Sequence, residues 1–170
     1  MKKTTTEKIL ERLKSLGYSP KVMEHDPVIT MDDVVRTLDI PADSMAKTML
    51  LSQEDIGLIA VILPGMNRID FSKVVAILGV SEKTVRFAGS EITKNLGLNS
   101  GDMCPFHDFF QRIIVDATLL KQRTVHCGSG DPRKTIVIDP NEMVKAIGAT
   151  IADISQTTSV HTQTKGGSDE

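Results

Sequence analysis

Helical periodicity of the apolar residues marks three segments of this chain. Residues 5–16 carry isoleucine or leucine every three or four positions, which is typical of a helix with one buried face, and Gly17 ends the pattern. Residues 70–79 and 139–148 show the same period. Each of these two segments begins with an aspartate suited to an N-cap and ends with a glycine suited to a C-cap. We therefore predict helices at all three places, with Leu16 on the buried face of the first.

Two shorter helices are predicted from their capping residues. Thr30 is followed three positions later by Asp33, a pair that resembles a capping box, and Pro41 ends that segment. Ser90 has the place of an N-cap before a second short run, which Gly97 closes.

Extended segments lie between these helices. Residues 46–52 and 57–64 are apolar runs joined by a short loop, which predicts a hairpin with Gly57 in the turn. The second run is apolar on both faces, so the sheet should be covered on both sides there. Because strands and helices mix without a regular strand–helix–strand alternation, we predict an α/β (mixed α+β) domain built on a curved, mixed β-sheet flanked by helices. Further strands are expected at 20–26, 84–88, 112–116, 124–130, 134–139 and 149–154.

The apolar pattern stops near Ile154. Residues 155–170 have no apolar period and end in KGGSDE, which predicts a disordered tail. The chain of 170 residues would then consist of one domain over 1–154 followed by this tail. Removal of the tail should leave stability and function largely unchanged, unless the tail folds over a pocket as a lid.

Composition and charge narrow the class of function. The formal net charge is −2, which argues against a protein that coats nucleic acid by bulk charge but allows a local basic patch that binds one end of an RNA. With 0 Trp and 1 Tyr, few surfaces suit a non-specific single-strand binder. The two cysteines exclude a disulfide scaffold, no Cys/His cluster has metal-ligand spacing, and no apolar run reaches membrane-spanning length. We expect a reduced, cytosolic protein that uses no metal and no organic cofactor.

One cation lies inside an apolar strand. In the stretch DSMAKTMLLS, Lys47 shares a strand face with Met49 and Leu51, and neither face of that strand has the polar residues of a solvated surface. A lysine at such a position must extend its ammonium to water, pair with an anion, or point into a cavity. The residues alone leave two interpretations: an edge-strand lysine that reaches water, and a pocket lysine that faces a phosphate or carbonyl of a ligand.

Several segments resemble a known family in their order and spacing. MAKTMLL, AVILPGMNRIDFSKVVAILG, SGDMCPFHDFF, IIVDATLL and GSGDPRKTIVIDPNEM, with VMEHDPVIT upstream, follow the order seen in the YbaK/prolyl-tRNA-synthetase-associated editing-domain family over residues 22–154. That family contains aminoacyl-tRNA deacylases, which hydrolyse amino acids wrongly attached to tRNA. The resemblance implies a free-standing trans-editing hydrolase whose sheet curls into a partly open barrel. Its substrate would be the 3′ end of a mischarged aminoacyl-tRNA, and an aminoacyl-tRNA synthetase could be a partner.

The resemblance also assigns residues to the site. Lys47 has the position of the family's lysine, and it would anchor the phosphate of the 3′-terminal adenosine or steer the ester. The loop GDMCP fits the family's GxxxP pattern, and Gly101 would let backbone groups position a water and stabilise the oxyanion of ester hydrolysis. Both residues are predicted to be catalytic. Contacts with the substrate are predicted for His25, Thr48, Asp102, Met103, Cys104, Pro105, Phe106, Gly128 and Gly130.

Alternatives stay open beside the deacylase. Cys104 could be a nucleophile if His107 or His25 served as its base, although a small buried thiol is the simpler interpretation. The glycines of GSGDP could form an ordinary hairpin turn, and the chain could be a non-catalytic module that binds a tRNA end or a nucleotide. Pro132 and Arg133 stand where many relatives carry a histidine, so the resemblance does not predict which amino acid is removed.

Overall fold

Five α-helices, three short 3₁₀ helices and eight strands lie in the part of the chain that the structure describes. The computed structural model describes residues 2–99 and 101–156. No helix in that part is long and apolar enough to span a bilayer. The helices are α1 (Thr5–Ser15), α2 (Met31–Leu38), α3 (Phe71–Leu78), α4 (Ser90–Asn95) and α5 (Pro140–Ile147). The strands are β1 (Lys21–Glu24), β2 (Met45–Gln53), β3 (Gly57–Pro64), β4 (Val85–Phe87), β5 (Arg112–Asp116), β6 (Val125–Gly128), β7 (Lys134–Ile138) and β8 (Thr150–Ala152). Each helix and strand predicted from the sequence is present, with ends that shift by a few residues.

All eight strands belong to one mixed sheet. Its order is β1-β7-β6-β2-β3-β5-β8, and β4 pairs with β2 outside this path. The pairs β2–β6, β3–β5 and β5–β8 are parallel, and the others are antiparallel. The predicted mixed α/β class is therefore confirmed. Among the described strands the sheet is not closed into a barrel, because β1 and β8 remain at its two ends.

The predicted β2–β3 hairpin forms the centre of the sheet. Gln53 pairs with Gly57 at the turn, and Gly57 adopts φ +106°, a conformation that favours glycine. The buried side chain of Gln53 closes the turn. Its Oε1 accepts hydrogen bonds from the backbone N–H groups of Asp55 and Ile56, at 2.8 and 2.7 Å.

Two apolar layers cover the hairpin, one on each face of the sheet. The alternation of β3 places Ile62 in one layer with Met143 of α5, and Val61 in the other with Val74 of α3. Residues 59–63 are all 0% exposed, so the prediction that this strand is covered on both faces is confirmed.

The outer edge of β2 is only partly covered. β6 pairs with Met45 and Ala46, and β4 pairs with residues 51–53. The N–H of Ala88 also donates to the carbonyl of Leu50 at 2.9 Å, so residues 47–49 are the ones without a strand partner on that edge within the described chain. A gap of this kind leaves a strand accessible from the side, and this gap contains Lys47.

Two local predictions at helix ends are wrong. Ser90 is the first residue of α4, and Gly89 has the N-cap position without a side-chain hydrogen bond. Leu16 is 50% exposed, because α1 ends at Ser15 and the chain then turns through Gly17 at φ +90°.

The C-terminal boundary of the packed structure also lies beyond the predicted one. Ser155, which the sequence pattern places in the tail, forms a bridge to Ile69 and is 7% exposed. The backbone N–H of Gln156 donates to the carbonyl of Arg68 at 2.8 Å. The rest of the predicted tail, residues 157–170, lies outside the described residues.

Candidate active site

A cavity of about 290 Å³ opens at the uncovered edge of β2. Its walls come from α2, the first half of β2, the loop around residue 101, and the β6–β7 hairpin. These elements are far apart in the sequence, so only the fold brings them together. Five residues predicted for the site line the cavity: Lys47, Thr48, Gly101, Met103 and Gly128.

Most of the other predicted residues lie behind or beside the cavity wall. Cys104 and Phe106 are 0% and 2% exposed in the core, and Pro105 between them is also buried. Asp102 and Gly130 line a second cavity, which lies against α1. Within the GDMCP loop, therefore, the glycine and the methionine reach the candidate site, and the following residues anchor the loop to the core.

The ammonium of Lys47 is held at the wall by a backbone group. Its Nζ donates to the carbonyl oxygen of Asn67 at 2.7 Å, and the side chain is half-buried. Burial lowers the pKa of Lys47 below its ordinary value, and the nearby Arg68 guanidinium lowers the pKa further. The cation thus lies at the boundary of two cavities rather than in bulk water.

A buried chain of hydrogen bonds fixes the segment that holds Lys47. Ser155 Oγ donates to the carboxylate of Asp116, which is 0% exposed, and accepts from Asn67 Nδ2 at 3.2 Å. The carbonyl of Asn67 then accepts from the Lys47 ammonium. Because buried polar groups are costly unless they are paired, this chain holds Asn67 in one place.

Two glycines of the site permit close approach of backbone segments. Gly101 has φ +88°, and a Cβ there would lie 3.1 Å from the carbonyl oxygen of Val28. A Cβ on Gly128 would lie only 2.6 Å from the carbonyl oxygen of Met103. Any side chain at either position would displace the loop that lines the cavity.

Cys104 does not have the environment of a nucleophile. Burial raises the pKa of its thiol to about 12, so the thiol stays protonated near neutral pH. The Nε2–H of His107 donates to the carbonyl of Asp102 at 3.0 Å, and burial lowers the pKa of His107. Neither group faces the cavity at the edge of β2.

His25 does not line the cavity itself but contacts a residue that does. Its Nδ1–H donates to the carbonyl of Asp26 at 2.8 Å, and its Nε2 is 2.8 Å from Thr135 Oγ1. Since a carbonyl only accepts, Nδ1 is the donor to Asp26, and Nε2 and the Thr135 hydroxyl form the second hydrogen bond of the ring. Thr135 itself lines the cavity, so His25 orients a wall residue.

Helix α2 supplies an apolar wall that the sequence analysis did not assign to the site. Met31, Val34 and Leu38 line the cavity from this helix. The predicted capping box is confirmed: Thr30 Oγ1 accepts from the N–H of Asp33 at 3.1 Å, and the Asp33 carboxylate accepts from the N–H of Thr30 at 3.2 Å. The helical spacing of the apolar residues was the signal that could have revealed this wall.

His126 is a second lining residue that was missed. Its Nδ1 is 3.4 Å from both the hydroxyl and the carbonyl of Ser44, and burial lowers the pKa of the ring. His126 therefore presents a neutral imidazole to the cavity near neutral pH. Its pairing with Met45 across the β2–β6 contact depends on the fold and leaves no mark in the sequence.

Thr48 carries a polar group without a partner. Its Oγ1 is buried and makes no hydrogen bond within the part of the chain that the structure describes. A hydroxyl left in this state costs about 1–3 kcal/mol, which is unusual in a packed wall and typical of a functional site.

The segment that contains the cavity and most of the sheet matches one known protein family. A family model described as the aminoacyl-tRNA editing domain matches residues 25–146, which span the cavity and most of the sheet. The chain belongs to the aminoacyl-tRNA editing domain family. No curated protein matches the sequence at a significant level.

Solved structures share this fold along nearly their whole length. One is the hypothetical protein APE2540, with a TM-score of 0.78 and 24% identity over 90% of this chain and 100% of that chain. Another is described as a candidate trans-editing enzyme for prolyl tRNA synthetase, with a TM-score of 0.76 and 22% identity over 92% of this chain and 100% of that chain. At these identities the likeness supports the fold.

The described residues contain no group of three or more His, Cys, Asp or Glu side chains that could hold a metal ion. The groups that line the cavity and can take part in chemistry are the ammonium groups of Lys47 and Lys134, the carboxylate of Asp131, the hydroxyls, the imidazole of His126 and the backbone groups.

Proposed function

We propose that this protein is an aminoacyl-tRNA deacylase that acts in trans and hydrolyses the ester between a small mischarged amino acid and the 3′ end of a tRNA. The observation that carries the proposal is the meeting of Lys47 and the Gly101 loop at one cavity, in a chain of the aminoacyl-tRNA editing domain family. The description of one structural neighbour as a candidate trans-editing enzyme agrees with an action in trans.

The reaction needs no covalent intermediate. Water adds to the carbonyl carbon of the ester, the carbonyl oxygen becomes an oxyanion, and the bond from that carbon to the ribose oxygen breaks. The ribose oxygen takes up a proton, so the products are the free amino acid and uncharged tRNA. An aminoacyl ester is already reactive, and a buried thiol such as Cys104 is not required.

Different groups in the cavity would stabilise the oxyanion, hold the substrate and position the water. Backbone N–H groups of the loop at Gly101 and Met103 are suited to stabilise the oxyanion, because such donors are fixed before the reaction begins. The Lys47 ammonium is suited to hold a phosphate or the carbonyl oxygen of the ester as a point charge. The loop carbonyls and the Thr48 hydroxyl are suited to position the water.

The lining of the cavity favours a small, apolar amino acid. Met31, Val34, Met45 and Met49 form much of the wall, and Pro132 lines it where many relatives carry a histidine. The volume of about 290 Å³ must also admit the ester, which leaves little room for the side chain. Because one methylene changes discrimination by only about 1–3 kcal/mol, several small amino acids should be hydrolysed at different rates.

A deacylation screen tests the proposal. The full chain and its Lys47→Ala variant are incubated separately with tRNAs charged with Ala, Ser, Thr, Cys or Pro, and the remaining ester is measured over time. We expect hydrolysis of at least one small amino acid by the wild type and almost none by the variant. If no ester is hydrolysed although charged tRNA binds, the chain is a binding module and the proposal is wrong.

A further inference from the structure

A third cavity is also lined by Lys47. Its volume is about 360 Å³, and Lys47 and Met49 line both this cavity and the one at the edge of β2. The two cavities therefore meet at the candidate catalytic lysine. We call this space the Phe87 cavity; its wall is completed by Asn67, Arg68, Ile69, Phe71, Phe87 and Gln156.

An exposed aromatic ring forms one side of the Phe87 cavity. Phe87 pairs with Leu51 in the β2–β4 register, so its side chain lies on the same sheet face as Met49 and Lys47. Phe87 is 51% exposed, and its ring meets that of Phe71 at 88° with centroids 5.4 Å apart. Packing against one ring fixes Phe87 while leaving much of its own surface uncovered.

Two cations also line the Phe87 cavity. The exposed guanidinium of Arg68 and the ammonium of Lys47 both line it. Neither cation has a carboxylate within ion-pair distance among the described residues, whereas the neighbouring Lys73 pairs with Asp153 at 3.0 Å. Two cations without a counter-ion beside an exposed aromatic ring match a phosphate linked to a planar base.

The wall that carries Arg68 is held rigidly by the C-terminal segment. The N–H of Asp70 donates to the carbonyl of Ile154 at 2.8 Å, and the N–H of Gln156 donates to the carbonyl of Arg68 at 2.8 Å. Gln156 Nε2 also donates to the carbonyl of Ile69 at 3.2 Å. A wall fixed on both sides in this way is organised before a ligand binds, which reduces the entropy cost of binding.

We propose that the Phe87 cavity binds the 3′-terminal nucleotide of the tRNA, with its base against Phe87 and its phosphate at Arg68. This proposal rests on the proposed deacylase function, since the ester of that nucleotide would then pass Lys47 and enter the cavity at the edge of β2. The two lining residues that this cavity shares with the one at the edge of β2, Lys47 and Met49, are the reason for choosing a nucleotide over a protein partner.

The first test measures binding of adenosine 5′-monophosphate to the full chain by chemical-shift perturbation in NMR. We expect shifts centred on Phe87, Arg68 and Met49. Phe87→Ala and Phe87→Leu should each weaken binding roughly tenfold, because base stacking contributes about 1–3 kcal/mol. The leucine variant keeps an apolar contact with Phe71, so it separates stacking from folding.

Matched controls make this result specific. Phe109→Ala removes an aromatic ring that lines the second cavity and does not line the Phe87 cavity, so it should leave nucleotide binding unchanged. Ribose 5-phosphate should bind the wild type and the Phe87 variants equally, whereas Arg68→Ala should weaken both ligands and Arg68→Lys should restore part of the loss. Absence of nucleotide binding, or binding indifferent to both Phe87 variants, would overturn the proposal.

The second test separates this inference from the proposed function. With a charged tRNA that the wild type hydrolyses, Phe87→Leu should raise KM roughly tenfold and leave kcat nearly unchanged, because the ring binds the nucleotide and does not touch the ester. Unchanged KM together with active hydrolysis refutes the Phe87 site and preserves the deacylase. Nucleotide binding that depends on Phe87, together with no hydrolysis of any ester, supports the site and refutes the deacylase.

Discussion

At the scale of single residues, the candidate site depends on two neighbours on β2 that point to opposite faces of the sheet. Lys47 is a cation held by one carbonyl at the junction of two cavities, and Thr48 is a buried hydroxyl without a partner among the described residues. Both arrangements are costly in a protein that only has to fold. Substitution at either position should therefore lower activity without lowering stability.

Replacement of Lys47 tests the cation directly. Lys47→Ala should lower deacylation roughly a hundredfold or more, as loss of an electrostatic contact to the reacting group does in other hydrolases. Because burial lowers the pKa of Lys47, the folded protein disfavours its charge, and the variant should be as stable as the wild type or more so. Single-turnover rates and urea unfolding provide the two measurements. A variant that hydrolyses at the wild-type rate, or that fails to fold, would contradict the assignment.

Replacement of Thr48 should raise stability and lower activity together. Thr48→Val removes a hydroxyl that has no partner, so the free energy of unfolding should increase by about 1 kcal/mol. Thr135→Val is the matched control, because the Thr135 hydroxyl bonds to His25 and its loss should destabilise the fold. Urea unfolding of both variants checks the opposite signs. Full activity in Thr48→Val would remove that hydroxyl from the site.

Replacement of Cys104 distinguishes water attack from thiol chemistry. Cys104→Ser should keep deacylation within about threefold of the wild type, since the thiol is buried and its pKa is raised to about 12. Initial rates with the best substrate of the screen measure this. If activity disappears in a folded variant, and an aminoacyl adduct forms on the wild type, Cys104 is the nucleophile.

At the scale of elements, the site is formed by a strand that changes neighbours along its length. β2 pairs with β6 at its start and with β4 at its end, and the cavity lies at the edge between them. Helix α2 and the loop around Gly101 close over that opening, and the C-terminal segment fixes the wall behind Lys47. The last of these contacts has a measurable consequence for stability.

Shortening the chain should show where the packed structure ends. A chain that ends at Ile154 lacks the Ser155 hydroxyl, so the buried carboxylate of Asp116 and the amide of Asn67 each lose a partner. It should be less stable than a chain that ends at Gln156 by about 1–3 kcal/mol. Ser155→Ala in the full chain is the control that adds no new terminal charge. Equal melting temperatures for all these proteins would show that the Asp116–Ser155–Asn67 contacts contribute nothing.

At the scale of the whole molecule, two half-buried histidines, His107 and His126, make stability depend on pH. Burial lowers the pKa of His107 and of His126. A group with a lowered pKa binds fewer protons in the folded chain than in the unfolded chain, so acidification favours unfolding. The loss begins near the ordinary histidine pKa of 6.5 and continues as the pH falls through the folded values.

Unfolding by urea at two pH values measures this effect. The free energy of unfolding should be lower at about pH 5 than at about pH 7.5, and a His107→Gln/His126→Gln double variant should lose much of the difference. Exposed carboxylates with a lowered pKa, such as Glu7, titrate below this window and do not account for it. An unchanged pH dependence in the double variant would contradict the assignment to these two histidines.

The sequence by itself determined the elements, because their signals are local. Capping residues, glycines and apolar period predicted each helix and strand, and the apolar run of β3 predicted cover on both faces of the sheet. Lys47 stood out because a cation in an apolar strand conflicts with its neighbours. The order of short segments was enough to indicate the family, which the family model over residues 25–146 supports.

Only the tertiary structure decided which residues share a cavity. Gly101 and Gly128 reach it because backbones of distant segments touch there, whereas Cys104 and Phe106 of the same loop turn into the core. The place of His126 in the cavity wall and the hydrogen bonds from Ser155 depend on contacts between residues far apart in the chain. Such contacts follow from packing and from the gap beside β2, neither of which has a local sequence signal.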